Sequence, residues 1–124
     1  MIKKIEAIIR PEKFDEVKKA LSDIGIVGLH TYQVSGRGRG AGMVVYGRTG
    51  KYMVDMLPKT VISIVLSERN VETTVAAIKK AAYTGEKGDG MIFVYPVEDV
   101  YRISTSERGH EAITYQGDID TKKK

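Results

Sequence analysis

The chain has no cysteine. That excludes disulfides and thiolate metal sites, and it fits a reducing, cytoplasmic setting. No apolar run approaches the roughly 20 residues that a membrane span needs. The opening stretch, MIKKIEAIIRPEK, interrupts its apolar residues with charges, so it does not read as a secretory signal or as a membrane insertion. There are only two histidines, His30 and His110, and they lie in unlike contexts. Neither has a partner at metal-ligand spacing, so no metal site is expected. A nucleophile elbow and a Walker loop are both missing. Asp15, Glu16, Asp23 and Glu72 fall on the solvent faces of expected helices. The sequence makes no case for an enzyme.

A large excess of one charge is also lacking. The net charge is +4 over 124 residues, and part of it sits in the closing TKKK. The body is nearly balanced, so charge alone argues weakly for nucleic acid. What is present is 42% hydrophobic and 29% charged, enough for one domain with a real core.

Lys3 to Arg10 is rich in Ile and bounded by Pro11, which reads as a strand. Pro11 suits the first turn of a helix, where its missing N–H costs nothing. Phe14, Val17, Leu21 and Ile24 repeat at helical spacing, and Gly25 ends that helix. Val27 to Ser35 reads as a second strand. Gly36 to about Lys51 holds six glycines and reads as a loop. Lys59 to Leu66 is a nearly continuous apolar strand, expected to be covered on both faces. Asn70 is the expected N-cap of a second helix, with Val71, Val75, Ile78 and Ala82 as its stripe. Met91 to Tyr95 is a fourth strand, with Val97 to Ser104 as a possible extension of the sheet. The pattern is lost from Thr105 onward, so residues 106–124 are expected to be a flexible extension.

This βαββαβ order is the split βαβ, or ferredoxin-like, arrangement. It is an α+β fold: an antiparallel sheet with two helices on one face. The other face then needs water, a ligand or another subunit, and the apolar third strand argues for a subunit. The long connection after the second strand is expected to be functional or mobile.

Two glycine clusters stand out. GRGRG (Gly36 to Gly40) leaves one strand, and TGEKGDG (Thr84 to Gly90) enters another. Glycine lets backbone N–H groups approach an anion closely, and Arg37 and Arg39 add charge. Two such loops at one sheet edge could hold one polyphosphate, although either cluster alone also reads as ordinary turn glycines.

On these residues the chain resembles the PII signal-transduction family, from Ile2 to Thr105. KKIEAIIRPEKFDEVKKAL is similar to the family's first strand and helix, TGEKGDGMIFV to its second signature, and YMVDMLPK to the end of its T-loop. The resemblance implies a homotrimer whose domain spans residues 1–105, with a T-loop at about 37–55. It implies ADP or ATP, with AMP as a further candidate, in clefts between subunits, with 2-oxoglutarate held beside the nucleotide through a metal ion. It also implies regulation of a partner, such as an ammonium transporter or nitrogen-assimilation enzyme, through the T-loop. Ile8, Gly36 and Val65 would line the adenine pocket, and Gly28 would lie near the ribose. Gly38 and Arg39 would meet the phosphates from one side, and Gly88, Asp89 and Gly90 from the other. Arg102 would reach across from a neighbouring subunit, and Lys59 would meet 2-oxoglutarate. Arg48 and Tyr52 fall in the partner-binding loop.

The departures are as informative. The family's metal-binding Gln is Gly40 here, and its basic residue after Gly-Asp-Gly is Met91. Ser104 stands for a second Arg, His30 for a Thr near the adenine amino group, and Ser63 for an acid. Binding of Mg²⁺ is therefore expected to be weak or absent, and 2-oxoglutarate sensing weakened or lost. A charged hydrogen bond is worth about 1.5–3 kcal/mol, so triphosphate affinity should suffer most. From Arg37 to Lys51 the loop carries four cations and no acid, so an acidic or phosphorylated partner surface is expected. One alternative is an adenylate-only sensor for another transport or metabolic pathway. A remote one is an RNA-binding ferredoxin-like domain using GRGRG, Phe93 and Tyr95, but these lack the expected aromatic pattern, so no nucleic-acid partner is expected.

Overall fold

The structure is a computed structural model that describes residues 1–39 and 43–121. Strand β1 (Ile2–Ile9) leads through a 3₁₀ turn at Pro11–Lys13 into α1 (Phe14–Asp23). Next come β2 (His30–Gly36), β3 (Met43–Gly47), β4 (Gly50–Val54) and β5 (Leu57–Ser67). A 3₁₀ turn at Glu68–Asn70 opens α2 (Val71–Ala82), followed by β6 (Met91–Val97) and the short α3 (His110–Ile113). The main sheet has the order β2-β5-β1-β6 and is antiparallel throughout. The expected α+β arrangement of an antiparallel sheet and two principal helices is what forms.

Strand alternation decides which face meets the helices. Ile5, Ala7 and Ile9 of β1 join Ile62, Ile64 and Leu66 of β5 in the core, against Val17 and Leu21 of α1 and Ile78 and Ala82 of α2. The alternate residues form an open face. There Ile8 lies between Val61 and Met91, Glu6 between Ser63 and Phe93, and Lys4 between Val65 and Tyr95. Tyr32 continues that face from β2, opposite Val61. Its hydroxyl donates to Glu6 Oε2 at 3.3 Å, and the Tyr95 hydroxyl donates to Glu6 Oε1 at 3.4 Å. Val61 is buried, but Ser63 and Val65 are only half-buried, so within one chain β5 is not covered on both faces.

Four local expectations need correction. The glycine-rich stretch after β2 is not a loop throughout: β3 and β4 pair from Met43↔Val54 to Gly47↔Gly50. Its β-branched and aromatic residues, Val44, Val45, Tyr46 and Tyr52, outweigh the flanking glycines. The sheet does not continue over Val97 to Ser104; only an isolated bridge joins Tyr101 to Arg108. Asn70 precedes α2 but does not cap it with its side chain; the amide nitrogen donates to Asp120 Oδ1 at 2.7 Å. Finally, residues 106–121 are not a loose extension. Ala112, Ile113 and Asp118 are buried, and the Ile119 N–H donates to the Gly25 carbonyl at 2.7 Å. Asp120 accepts from the Ser67 N–H at 3.1 Å. These contacts come from single residues without periodicity, which is why the sequence pattern hides them.

Candidate functional site

Antiparallel pairing brings four strand ends together. Gly36 of β2 pairs with Leu57 of β5, Thr60 of β5 with Ile9 of β1, and Ile8 of β1 with Met91 of β6. Arg10, Lys59 and the turn Thr84–Gly90 therefore meet at one end of the sheet.

Asp89 organises that turn. Its carboxylate accepts from the Thr84 hydroxyl, from the Thr84 and Gly85 N–H groups, each at 2.9 Å, and from Arg10 Nε at 3.2 Å. The Thr84 hydroxyl above all, with the two N–H groups and Arg10, holds the carboxyl well below the usual carboxylate range, against the opposing effect of burial. Arg10 Nη2 also donates to the Lys87 carbonyl at 2.7 Å, and Lys59 Nζ donates to the Gly88 carbonyl. Burial pushes the Lys59 ammonium below its ordinary value, and Arg10 pushes it the same way, while Glu12 and Asp89 oppose the shift. Gly90 is obligatory. A Cβ there would fall 1.7 Å from the Ile8 carbonyl oxygen, and its φ is +109°. A glycine turn braced by one carboxylate and flanked by two cations is chemically suited to an anion such as phosphate or carboxylate.

Arg10 is the residue that sequence reasoning missed. Its signal was its position, at the end of β1 just before Pro11, where the register delivers it to the turn. A cleft of about 400 Å³ adjoins this end, lined in part by Ile8, Lys79, Asp89 and Met91. Met91 is exposed and brings no charge to the place where the resemblance expects a basic residue.

The remaining expected residues divide. Gly36, with Gly38 and Arg39 just beyond it, leaves the sheet at the same end as Lys59. Both glycines have open space around them. Gly40 lies outside the described residues. Arg37 pairs with Asp55 at 2.9 Å across the base of the β3–β4 hairpin. Arg48 sits in the exposed turn of that hairpin, and Tyr52 is exposed on β4 opposite Val45.

Gly28, His30, Val65 and Arg102 lie toward the opposite end. His30 opens β2 opposite Ser63, and Val65 pairs with Lys4. Arg102 Nε donates to the Ala112 carbonyl at 3.0 Å, and its guanidinium lies 5.1 Å from the Tyr115 ring centroid. Lys59 and Val65 are six positions apart on β5, which places them roughly 20 Å apart. One chain thus keeps the expected residues in two groups at opposite ends of its sheet. The second histidine, His110, has Nδ1 3.2 Å from the Ser67 hydroxyl. Among the described residues no metal cluster of three or more His, Asp and Glu side chains is gathered, and no helix is long and apolar enough to cross a membrane.

Comparison with known proteins gives the family. Residues 2–107 match the family model for nitrogen regulatory protein P-II. The chain is 50% identical over 112 residues to the nitrogen regulatory protein P-II of Azospirillum brasilense, covering 90% of this chain and all of that protein. It is 47% identical to P-II 2 of Methanothermobacter thermautotrophicus, covering 97% of that protein. It also superposes on the crystal structure of Arabidopsis thaliana PII bound to citrate, with a TM-score of 0.74, 37% identity and 94% of each chain covered. The chain belongs to the nitrogen regulatory protein P-II family, whose members are signalling regulators rather than enzymes.

Proposed function

We propose that this P-II family member is a cytoplasmic homotrimer that binds an adenine nucleotide between subunits and regulates a partner through its β3–β4 hairpin. The observation that carries the reading is the braced turn Thr84–Gly90 with Arg10 and Lys59, set at the sheet end from which the hairpin springs. A ligand held by that turn lies beside the base of the hairpin, so ligand and hairpin conformation can be coupled. The Arg37–Asp55 pair at that base is a contact such coupling would make or break.

The phosphates take the Gly88–Gly90 backbone, Arg39 and Arg10. The base and ribose take Ile8 and Gly36 from one subunit and Gly28, His30 and Val65 from the next, whose Arg102 reaches across to the phosphates. Sharing the site in this way unites two half-sites that one chain keeps at opposite ends of its sheet. The open sheet face supplies the contact between subunits. It presents the exposed rings of Tyr32, Phe93 and Tyr95 beside half-buried Ile8, apolar surface that a neighbouring subunit would cover. Glu6 sits among these rings, and its charge disfavours RNA stacking on them.

ADP is the favoured ligand over ATP, with AMP as a further candidate. Exposed Met91 and Ser104 supply no charge for a γ-phosphate, and Mg²⁺ and 2-oxoglutarate bind weakly. Lys59 remains as a carboxylate partner; the Arabidopsis relative carries citrate, a carboxylate ligand. An adenylate-only sensor for a transport or metabolic pathway other than nitrogen is the second reading, favoured by Gly40, which offers no side-chain ligand to the metal that 2-oxoglutarate sensing needs. The hairpin partner is a membrane transporter or a metabolic enzyme.

Calorimetric titration with AMP, ADP and ATP, each with and without Mg²⁺ and 2-oxoglutarate, tests the ligand reading. The expected result is nucleotide binding that 2-oxoglutarate barely strengthens. Tight binding of 2-oxoglutarate with Mg²⁺ and ATP would refute the weakened-sensing part, and no binding of any nucleotide would refute the whole.

A further inference from the structure

The segment beyond residue 107 lies outside the family match, yet it covers residues assigned above to the base-side half-site. Tyr115 lies directly over Gly28. A Cβ on Gly28 would fall 2.5 Å from the ring Cε2 and 2.6 Å from the hydroxyl oxygen. The crevice that Gly28, Val65, Ile113 and Tyr115 line retains only about 10 Å³. The same ring lies 5.1 Å from the Arg102 guanidinium, and Arg102 Nε is engaged by the Ala112 carbonyl. One short segment therefore occupies two residues, Gly28 and Arg102, that a nucleotide would need.

We propose that Tyr115 is a built-in competitor for the nucleotide: the strap Thr114–Gly117, carrying the Tyr115 ring, fills the base-side half-site and must withdraw before a ligand seats there. The inference rests on the nucleotide reading above and names how that site is regulated. A flat aromatic ring beside a guanidinium and against a bare glycine backbone presents the surfaces that a purine would present. The strap's ends are fixed by buried Ile113 and Asp118 and by Asp120, and its middle is held by short turn contacts, the Asp118 N–H donating to the Tyr115 carbonyl at 3.1 Å. The Tyr115 N–H donates to Asp118 Oδ2 at 2.9 Å, and the Ile119 N–H to the Gly25 carbonyl. Ring and turn are only half-buried or exposed from Thr114 to Gly117, so this part can leave while buried Ile113 stays anchored. A ligand that meets only the open fraction shows an affinity reduced by that fraction.

The test is calorimetric titration of ADP into the full-length parent, Tyr115→Ser and Tyr115→Phe. Tyr115→Ser should bind ADP about fivefold more tightly or better, and Tyr115→Phe should match the parent because it keeps the ring. In the parent, saturating ADP should speed hydrogen exchange at the Tyr115 and Ile119 amides, a readout that needs no variant. Equal or weaker ADP binding by a folded Tyr115→Ser, or slower exchange at those amides, overturns the competitor role while leaving nucleotide binding intact. Failure of both parent and Tyr115→Ser to bind ADP, ATP or AMP instead overturns the nucleotide reading, and the strap with it.

Discussion

Replacing Asp89 by alanine is the sharpest probe of the braced turn. The carboxylate accepts from four donors: the Thr84 hydroxyl, the Thr84 and Gly85 N–H groups, and Arg10 Nε. Hydrogen bonds to a charged group contribute about 1.5–3 kcal/mol each when isolated. The donors here stand near solvent, and water takes over part of their bonding in the variant. The sum is therefore not expected; a loss of about 2–3 kcal/mol is. Urea unfolding of parent and variant at equal protein concentration measures it, because assembly would make stability concentration-dependent. Asp89→Asn should fall between the two, since it keeps an acceptor without the charge. The pH dependence gives a second arm. A carboxyl whose folded pKa lies below its unfolded value of about 3.9 contributes fully above that value and loses its contribution as pH falls toward the folded one. The gap between parent and Asp89→Ala should thus be constant near neutrality and narrow steadily below pH about 4. A variant within about 0.5 kcal/mol of the parent at neutral pH, or a gap that widens on acidification, would refute the bracing role.

Gly90→Ala should destabilise by about 2 kcal/mol or more, read by the same unfolding curves, because its Cβ has no room beside the Ile8 carbonyl. Arg102→Ala should weaken ADP binding several-fold in calorimetry; unchanged affinity removes Arg102 from the site. Replacing residues 43–54 with a short flexible linker should spare the main sheet, which the hairpin does not join, and abolish partner capture. Capture of the same partner by the shortened chain would end the hairpin's docking role. Gly40→Gln with Met91→Lys should raise ATP affinity in the presence of Mg²⁺ and let 2-oxoglutarate add to it; an unchanged titration would mean those two positions do not limit the site.

The parts of this structure that sequence exposes are the periodic ones. Ile5, Ala7 and Ile9 alternate, Val17 and Leu21 repeat at helical spacing, and both patterns point to the core they build. The hairpin β3–β4 is obscured because the glycines around it mask the cross-strand pairing of Val45 with Tyr52 and of Val44 with Met53. Arg10 was hidden for a different reason. Its role depends on register between β1, β5 and β6, and no local pattern encodes a partner 79 residues away. The C-terminal segment shows the same limit: Asp120 reaches Ser67 and Asn70, and Tyr115 reaches Gly28, through single contacts that no period announces.

If the expected residues meet one nucleotide, their division between two ends of the sheet argues for assembly, apart from the open face's composition. Lys59 and the Gly88 carbonyl stand at one end of the sheet, and Gly28, Val65 and Arg102 stand toward the other. No motion short of unfolding β5 brings Lys59 to Val65, since both are fixed in one continuous strand paired along its length with β1. If both sets touch one nucleotide, the second set must come from another copy. A closed ring then gives each subunit one half of two sites, and every interface becomes a site. That arrangement also gives Tyr115 its leverage: a strap on one subunit's Gly28 and Arg102 would govern a site whose phosphate end, with its hairpin, belongs to the neighbour. A protein that binds ADP as a stable monomer would break this chain of reasoning at its first link.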